Sequence, residues 1–221
     1  ELMPLWKVQK LKVEKPTEVS LGYTHFVNKC KTMDDGNGKS VFDKLKSRLV
    51  YQGNFSEKFV DWLTSHAPAG KMDTCRSLLS MACMYDLGAW CGDWIGAFLQ
   101  TGTPNKHMYA RFPHGYKMMV NGVEQCMHLK KNLYGMVDAA RNWFQCVEHW
   151  LLHDAPYKFT QLGSDQCVFY CQHGNDFLIL FLYVDDVICL SSSVKMKEEL
   201  FKAIGAKFDF EDKWGLKYFL G

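Results

Sequence analysis

The chain is expected to fold as an α+β domain with a largely antiparallel sheet backed by helices, and three features of its sequence predict this. Short apolar runs bounded by tight turn signals recur along it. The clearest runs from Phe177 to Leu190, where two apolar flanks enclose Asp185-Asp186. Apolar residues at helical spacing are confined to separate stretches between these runs. The chain of 221 residues is 48% hydrophobic and 14% aromatic, enough for a sizeable core and unlike a low-complexity chain.

Residues 1–20 alternate basic and apolar side chains up to Lys15-Pro16-Thr17 and are expected to form an irregular lead-in. Tyr23 to Cys30 has strand composition, Asp34-Asp35-Gly36-Asn37-Gly38 is a turn, and Lys46 to Tyr51 reads as the returning strand. Lys44, Lys46 and Arg48 would face outward from that hairpin. Ala67-Pro68-Ala69-Gly70 breaks the chain. Asp73 is then expected to cap a helix carrying Leu78, Leu79, Met81, Ala82 and Tyr85, which Gly88 ends. Ala89 to Leu99 reads as a short strand running into a turn or helix start, with Asp93 as a lone carboxylate among apolar residues.

Asn121-Gly122 predicts a hairpin over residues 116–129. A long amphipathic helix is expected from Asp138 to His153, with Ala139, Trp143, Val147, Trp150 and Leu151 on its buried side. His149 and His153 share a face of it, but no Glu follows the first His as in metalloprotease helices. Cys167 to Tyr170 reads as a strand, Gly174-Asn175 as a turn, and the acidic hairpin follows with Asp185-Asp186 at its tip. Ser191-Ser192-Ser193 closes it. A helix from Val194 to Ile204 would carry Lys195, Lys197, Glu198 and Glu199 on its wet face, and 207–221 reads as a further strand pair. The helices are placed on one face of the sheet.

Net charge is only +2, with a basic bias in residues 1–60, where 11 Lys and Arg stand against 7 Asp and Glu. That bias beside an acidic remainder suits a polyanion held near a metal-binding carboxylate site. No apolar run is long enough to span a bilayer, and the N-terminus is charged rather than signal-like, so an intracellular protein without a membrane partner is expected. Nine cysteines, without a secretory signal or zinc-finger spacing, point to free thiols.

Two adjacent carboxylates repel each other, and a hairpin tip built from them is readily explained by a cation that neutralises it. If the strand of Asp93 lies beside the acidic hairpin, then Asp93, Asp185 and Asp186 can converge on two divalent ions. Phosphoryl transfer uses such a pair, roughly 3.5–4 Å apart, to activate an attacking hydroxyl and stabilise the leaving group. Neither a base nor a covalent nucleophile is needed, because positioning and charge neutralisation carry most of the catalysis.

At these residues the sequence resembles the reverse transcriptases of Ty1/copia-type LTR retrotransposons. Tyr183-Val184-Asp185-Asp186 is similar to the family's Y-V-D-D box, and Asp93 to Leu99 to its D-V-K-x-A-F-L. Leu129 to Gly135 resembles L-K-K-S-L-Y-G, Ala140 to Trp143 stands at P-R-x-W, Lys46 to Val50 at K-A-R-L-V, and Leu216 to Gly221 at L-K-Y-F-L-G. The blocks follow the family's order from about Tyr23 to the end.

The resemblance implies a right-hand polymerase: residues 1–88 as a fingers-like region with its lead-in, and 89–221 as a palm-like region with interleaved fingers elements. It implies an RNA-directed DNA polymerase, a nucleotidyltransferase that adds deoxynucleotides to a primer 3′-hydroxyl with two Mg²⁺ ions, or Mn²⁺ in their place. Asp93, Asp185 and Asp186 would be the catalytic metal ligands. Lys46 and Arg48 would hold the incoming triphosphate, Phe98 would filter the sugar, and Tyr134 and Gly135 would line the nucleotide. Tyr183, Tyr218, Leu220 and Gly221 would meet primer or template. The partners implied are an RNA or DNA template, a primer, a dNTP and the thumb and RNase H portions of a polyprotein. The thumb is expected to be absent here, in a fragment working in the cytoplasm (within a virus-like particle) or the nucleus.

The chain departs from the family pattern in places. Met136-Val137-Asp138-Ala139-Ala140-Arg141 replaces L-K-Q-S-P-R, and Trp94 and Gly96 replace smaller or polar residues. Glu211 stands where a late-palm Lys is usual, which leaves Lys213 as the candidate proton donor. The alternative these departures support is an inactive or domesticated palm-fold fragment that binds nucleic acid without catalysis.

Overall fold

The structure is a computed structural model and describes residues 1–15, 18–36, 38–55, 65–104 and 106–216. It is a mixed α+β architecture in two compact units, Glu1–Ser65 with Gly102–Ala139, and His66–Thr101 with Ala140–Gly221.

In the first unit, strands Leu2–Pro4, Val123–Leu129, His107–Ala110 and Val19–Gly22 lie side by side in that order, with Met119–Val120 also paired to Val123–Leu129. The Val19–Gly22 and His107–Ala110 pair is parallel, the others antiparallel. Asn121 and Gly122 both take positive φ, at 50° and 76°, which is the type I′ turn expected there. The expected irregular lead-in is instead strand Leu2–Pro4 and helix Leu5–Glu14. The reason lies in spacing: Leu5, Val8 and Leu11 recur every third residue, and that face packs with Val19, Tyr109 and Cys126. The long hairpin Thr24–Asp34 with Ser40–Tyr51 stands as a separate two-stranded sheet.

The second unit is built on a six-stranded, wholly antiparallel sheet. Its order is Phe210–Gly215, Gly88–Trp94, Asp186–Ser191, Asp176–Tyr183, Val168–His173 and Thr160–Gln161. Helices cover both faces, not one as expected. Ala139–His153 and Val194–Lys207 pack on Leu178, Leu180, Leu182, Val187 and Cys189, while Cys75 and Ala82 of helix Met72–Met84 pack on Phe181, Ile188 and Leu190. Residues 177–182 are apolar without alternation, the pattern of a strand buried on both sides.

Helix ends also depart from expectation. Lys71, not Asp73, occupies the N-cap of Met72–Met84, and its backbone N–H donates to Asp165 Oδ2 at 3.0 Å. Asp73 sits in the first turn, where its negative charge suits the helix dipole. That helix ends at Tyr85, and Asp86 takes φ 50°, while Gly88 already opens the next strand. Ser193 caps Val194–Lys207 by accepting from the Met196 N–H. Lys197, expected on the wet face of this helix, is 4% exposed and ion-paired to Asp212. All nine cysteines are free thiols. Burial pushes Cys167 up to about 12 and Cys171 to about 11, so both behave as core residues. Among the described residues no helix is long and apolar enough to cross a membrane.

Candidate active site

The acidic hairpin pairs Tyr183 with Asp186, so its two-residue tip is Val184-Asp185. The expected tip, Asp185-Asp186, is shifted by one residue: Asp186 opens the returning strand. Val184 takes φ 56° and Asp185 does not have a positive φ, the pattern of a type II′ turn, which favours Gly at its first central position. A β-branched residue there is strained. Two hydrogen bonds hold the strained turn. The Trp143 indole Nε1–H donates to the Val184 carbonyl at 2.8 Å, and the Trp94 backbone N–H donates to the Asp185 carbonyl at 2.8 Å. Trp94 is wedged between Trp143 and Phe210, each ring centroid 5.6 Å away. Its own Nε1 is buried and has no hydrogen-bond partner among the described residues, a further cost carried by this corner.

Val184→Gly should therefore stabilise the chain. Relief of the left-handed strain gains about 1–2 kcal/mol and glycine's unfolded-state freedom returns about 0.5–1. A net gain of about 0.5–1 kcal/mol is expected in urea unfolding, and a loss of stability would show that Val184 is not strained.

Asp93 lies directly opposite Asp186 in the register of Gly88–Trp94 and Asp186–Ser191. Both carboxylates thus project from the same face, at the sheet end where the turn lies. On the other side of Asp93, strand Phe210–Gly215 places Glu211 in the same row. Lys213 answers this concentration of acid: its Nζ is 3.6 Å from Asp93 Oδ2 and 3.6 Å from Asp186 Oδ1. Even so, the Asp186 carboxyl is held above its usual range, chiefly by partial burial and then by the neighbouring charges of Asp185 and Asp93, with Lys213 opposing. The donor set is hard carboxylate oxygen, which suits Mg²⁺ or Mn²⁺, and a cationic group already lies against two of the three carboxylates. Among the described residues no three His, Cys, Asp or Glu side chains form a ready metal cage.

The other expected site residues divide between the units. Tyr183 is half-buried against the face shared with Phe181 and Ile188. Phe98 lies on the short 3₁₀ turn Ala97–Gln100, partly buried against the core cluster that holds Trp94 and Trp143. Lys46, Arg48, Tyr134 and Gly135 belong to the first unit. There the Arg48 guanidinium lies over the Tyr134 ring at 5.3 Å. Gly135 has φ 87°, and a Cβ on it would stand 2.1 Å from the Tyr51 carbonyl oxygen, so the chain needs glycine at this crossing. Tyr218, Leu220 and Gly221 lie outside the described residues.

Strand register shows what sequence reasoning missed. Lys29 faces Lys46, Lys31 faces Lys44, and Val27 faces Arg48, so one face of the long hairpin carries five cations. Like charges directly opposite destabilise a strand pair, and such a face suits a polyanion. Lys29 and Lys31 could have been recognised once the strands were aligned about their turn. The first unit also holds an open cleft of about 620 Å³ lined by Tyr23, His25, Arg111, His114, Lys117 and Glu124. Arg111 lies 5.7 Å from the Tyr23 ring and 3.9 Å from Glu124. No spacing in the sequence announces this cleft. The His149 and His153 rings lie tilted at 45° to each other with centroids 4.6 Å apart.

Residues 6–221 match the family model described as reverse transcriptase (RNA-dependent DNA polymerase). The chain is similar to the retrovirus-related Pol polyprotein from transposon TNT 1-94 of Nicotiana tabacum, with 30% identity over 86% of this chain and 14% of that polyprotein. It is also similar to those from transposons RE2 and RE1 of Arabidopsis thaliana, at 26% and 27% identity, each over 84% of this chain and 12% of the polyprotein. The chain thus spans between 12% and 14% of the length of the curated relatives it matches.

Proposed function

The chain belongs to the reverse transcriptase family of Ty1/copia-type retrotransposons, and from that premise we propose that it is the RNA-directed DNA polymerase portion of a Pol polyprotein. The observation that carries this reading is the pairing of Asp93 directly against Asp186, with Asp185 in the adjoining turn. In this reading the unit holding the carboxylates is the palm, with helix Met72–Met84 counted in it because it packs on the same sheet. The unit holding the long hairpin supplies the fingers elements.

Asp93, Asp185 and Asp186 would hold Mg²⁺ or Mn²⁺. Bound there, the metal would lower the pKa of a primer 3′-hydroxyl and neutralise charge on the transferred phosphate. The protein's own part is positioning. The hydrogen bonds from Trp143 and Trp94 fix the turn that presents Asp185, and the strand pair fixes Asp93 against Asp186. Lys46 and Arg48 supply cations suited to a triphosphate, and the Tyr134 ring braces the Arg48 guanidinium. Phe98 is assigned the sugar filter, a flat ring that would clash with a 2′-hydroxyl. Tyr183 is assigned to the primer side, and the template, primer and remaining polyprotein segments are the partners.

The test is extension of an oligo(dT) primer on poly(rA) with Mg²⁺ or Mn²⁺, comparing the chain with Asp185→Asn. The wild type should extend and the variant should fall at least about 100-fold, since loss of one charge-stabilising group commonly costs that much. Extension that Asp185→Asn leaves unchanged overturns the assignment. A second reading, nucleic-acid binding without catalysis, is favoured by Lys213 lying against both Asp93 and Asp186. Salt-sensitive RNA binding with no extension from the wild type would support it.

A further inference from the structure

Lys213 lies where the site most needs positive charge. Glu211, Asp93 and Asp186 share one row across three adjacent strands, and carboxylates set side by side in a sheet repel. The Lys213 ammonium contacts the middle and far members of that row at equal distances of 3.6 Å. Its side chain is 42% exposed, so it can swing to solvent without breaking the core. By contrast the Lys197 side chain is buried and ion-paired to Asp212.

We infer that Lys213 is a built-in counter-ion that occupies the cation position between Asp93 and Asp186 and must be displaced before a divalent metal binds there. The inference rests on the metal-binding role proposed above for the carboxylates. It makes metal loading an exchange rather than a simple addition. The ammonium leaves two carboxylate oxygens as the ion arrives, so the apparent metal affinity is reduced by whatever Lys213 contributes to the metal-free state. Lys213 also shields the acidic row while no metal is bound, which lets the strands stay paired. The effect is confined to the metal step and does not require Lys213 to touch a substrate.

The test is Mn²⁺ binding to the full 221-residue chain by calorimetry, without nucleic acid or nucleotide, for wild type, Lys213→Met, Lys213→Arg and Asp93→Asn. Lys213→Met should bind Mn²⁺ about tenfold more tightly than wild type, equivalent to about 1.4 kcal/mol. Its thermal midpoint without metal should be lower, and its Mn²⁺-induced rise larger, than in wild type. Lys213→Arg keeps the charge and should stay close to wild type, while Asp93→Asn should weaken binding in either background. Equal or weaker binding by Lys213→Met overturns the inference, as does an Arg variant that behaves like Met. If neither wild type nor Lys213→Met binds Mn²⁺, the metal-site reading falls together with the inference. If binding is lost only with Asp93→Asn and is indifferent to Lys213, the metal site stands and the inference alone fails.

Discussion

Asp186→Asn is expected to abolish primer extension, by about 10³-fold or more, while making the folded chain more stable at neutral pH. The loss follows from removing one carboxylate of a facing pair, where a group acting on developing charge commonly carries 10²–10³ of the rate. The gain follows from the same geometry. Partial burial, Asp185 and Asp93 together outweigh the help from Lys213, so the folded Asp186 carboxyl titrates above its unfolded value. A carboxyl with a raised folded pKa holds its proton more tightly when folded than when unfolded. Its ionised form is then a cost to folding. That cost is absent below the unfolded pKa, grows as pH rises through the raised folded pKa, and is constant above it. Asparagine carries no charge at any of these pH values and removes the cost. Thermal midpoints of wild type and Asp186→Asn should converge near about pH 3, below the ordinary carboxylate range, and separate in favour of the variant by pH 7. A variant less stable than wild type at pH 7 would show that the Lys213 contact dominates the site. Lost activity with raised stability is the signature of a group kept for chemistry at the expense of folding.

How far this site could be read from the sequence depends on which interaction decides each feature. The partnership of Asp93 with the acidic hairpin was legible, because both flank apolar runs that have the length and composition of core strands. The phase of the turn was not. Aspartate favours turns and valine resists positive φ, so local preference places Asp185-Asp186 at the tip. Strand pairing overrides it: Asp186 is required opposite Asp93, and Val184 is left to take φ 56°. The covering of both sheet faces was present in the sequence as unbroken hydrophobicity from Phe177 to Leu182. It becomes decisive only once helix Met72–Met84 is known to lie on the far side. Helix Leu5–Glu14 was obscured by lysines at 7, 10 and 12, which make a three-residue period look like alternation. Lys213 could be named a candidate proton donor from its position, but its place against two carboxylates depends on how strand Phe210–Gly215 joins the sheet edge.

Lys197 is the position where misreading a charge conceals the largest effect on stability. On helix Val194–Lys207 it occupies the stripe formed by Met196, Leu200, Phe201 and Ile204, all buried, so helical periodicity sets the lysine inward despite its charge. Its ammonium pairs with Asp212 and lies 4.5 Å from the centroid of the Phe201 ring and 5.9 Å from that of Trp90. Lys197→Met keeps the apolar stem and removes the charge. Asp212 would then keep a part-buried carboxylate without the Lys197 ammonium, and breaking a buried pair from one side costs about 3–5 kcal/mol. Asp212 retains 31% side-chain exposure, which lets water repay part of this and brings the expected cost to about 2–3 kcal/mol in urea unfolding. Lys197→Met combined with Asp212→Leu should recover most of the loss, because the penalty belongs to the stranded charge rather than to the missing attraction. The strand that Asp212 anchors also carries Glu211 and Lys213 beside Asp93. Amide exchange in Phe210–Gly215 should therefore accelerate in the single variant more than in strand Val168–His173, which lies four places along the sheet from it. Uniform acceleration across the sheet would mean that the Lys197–Asp212 pair serves stability alone, and has no part in holding the strand that brings Lys213 to the carboxylates.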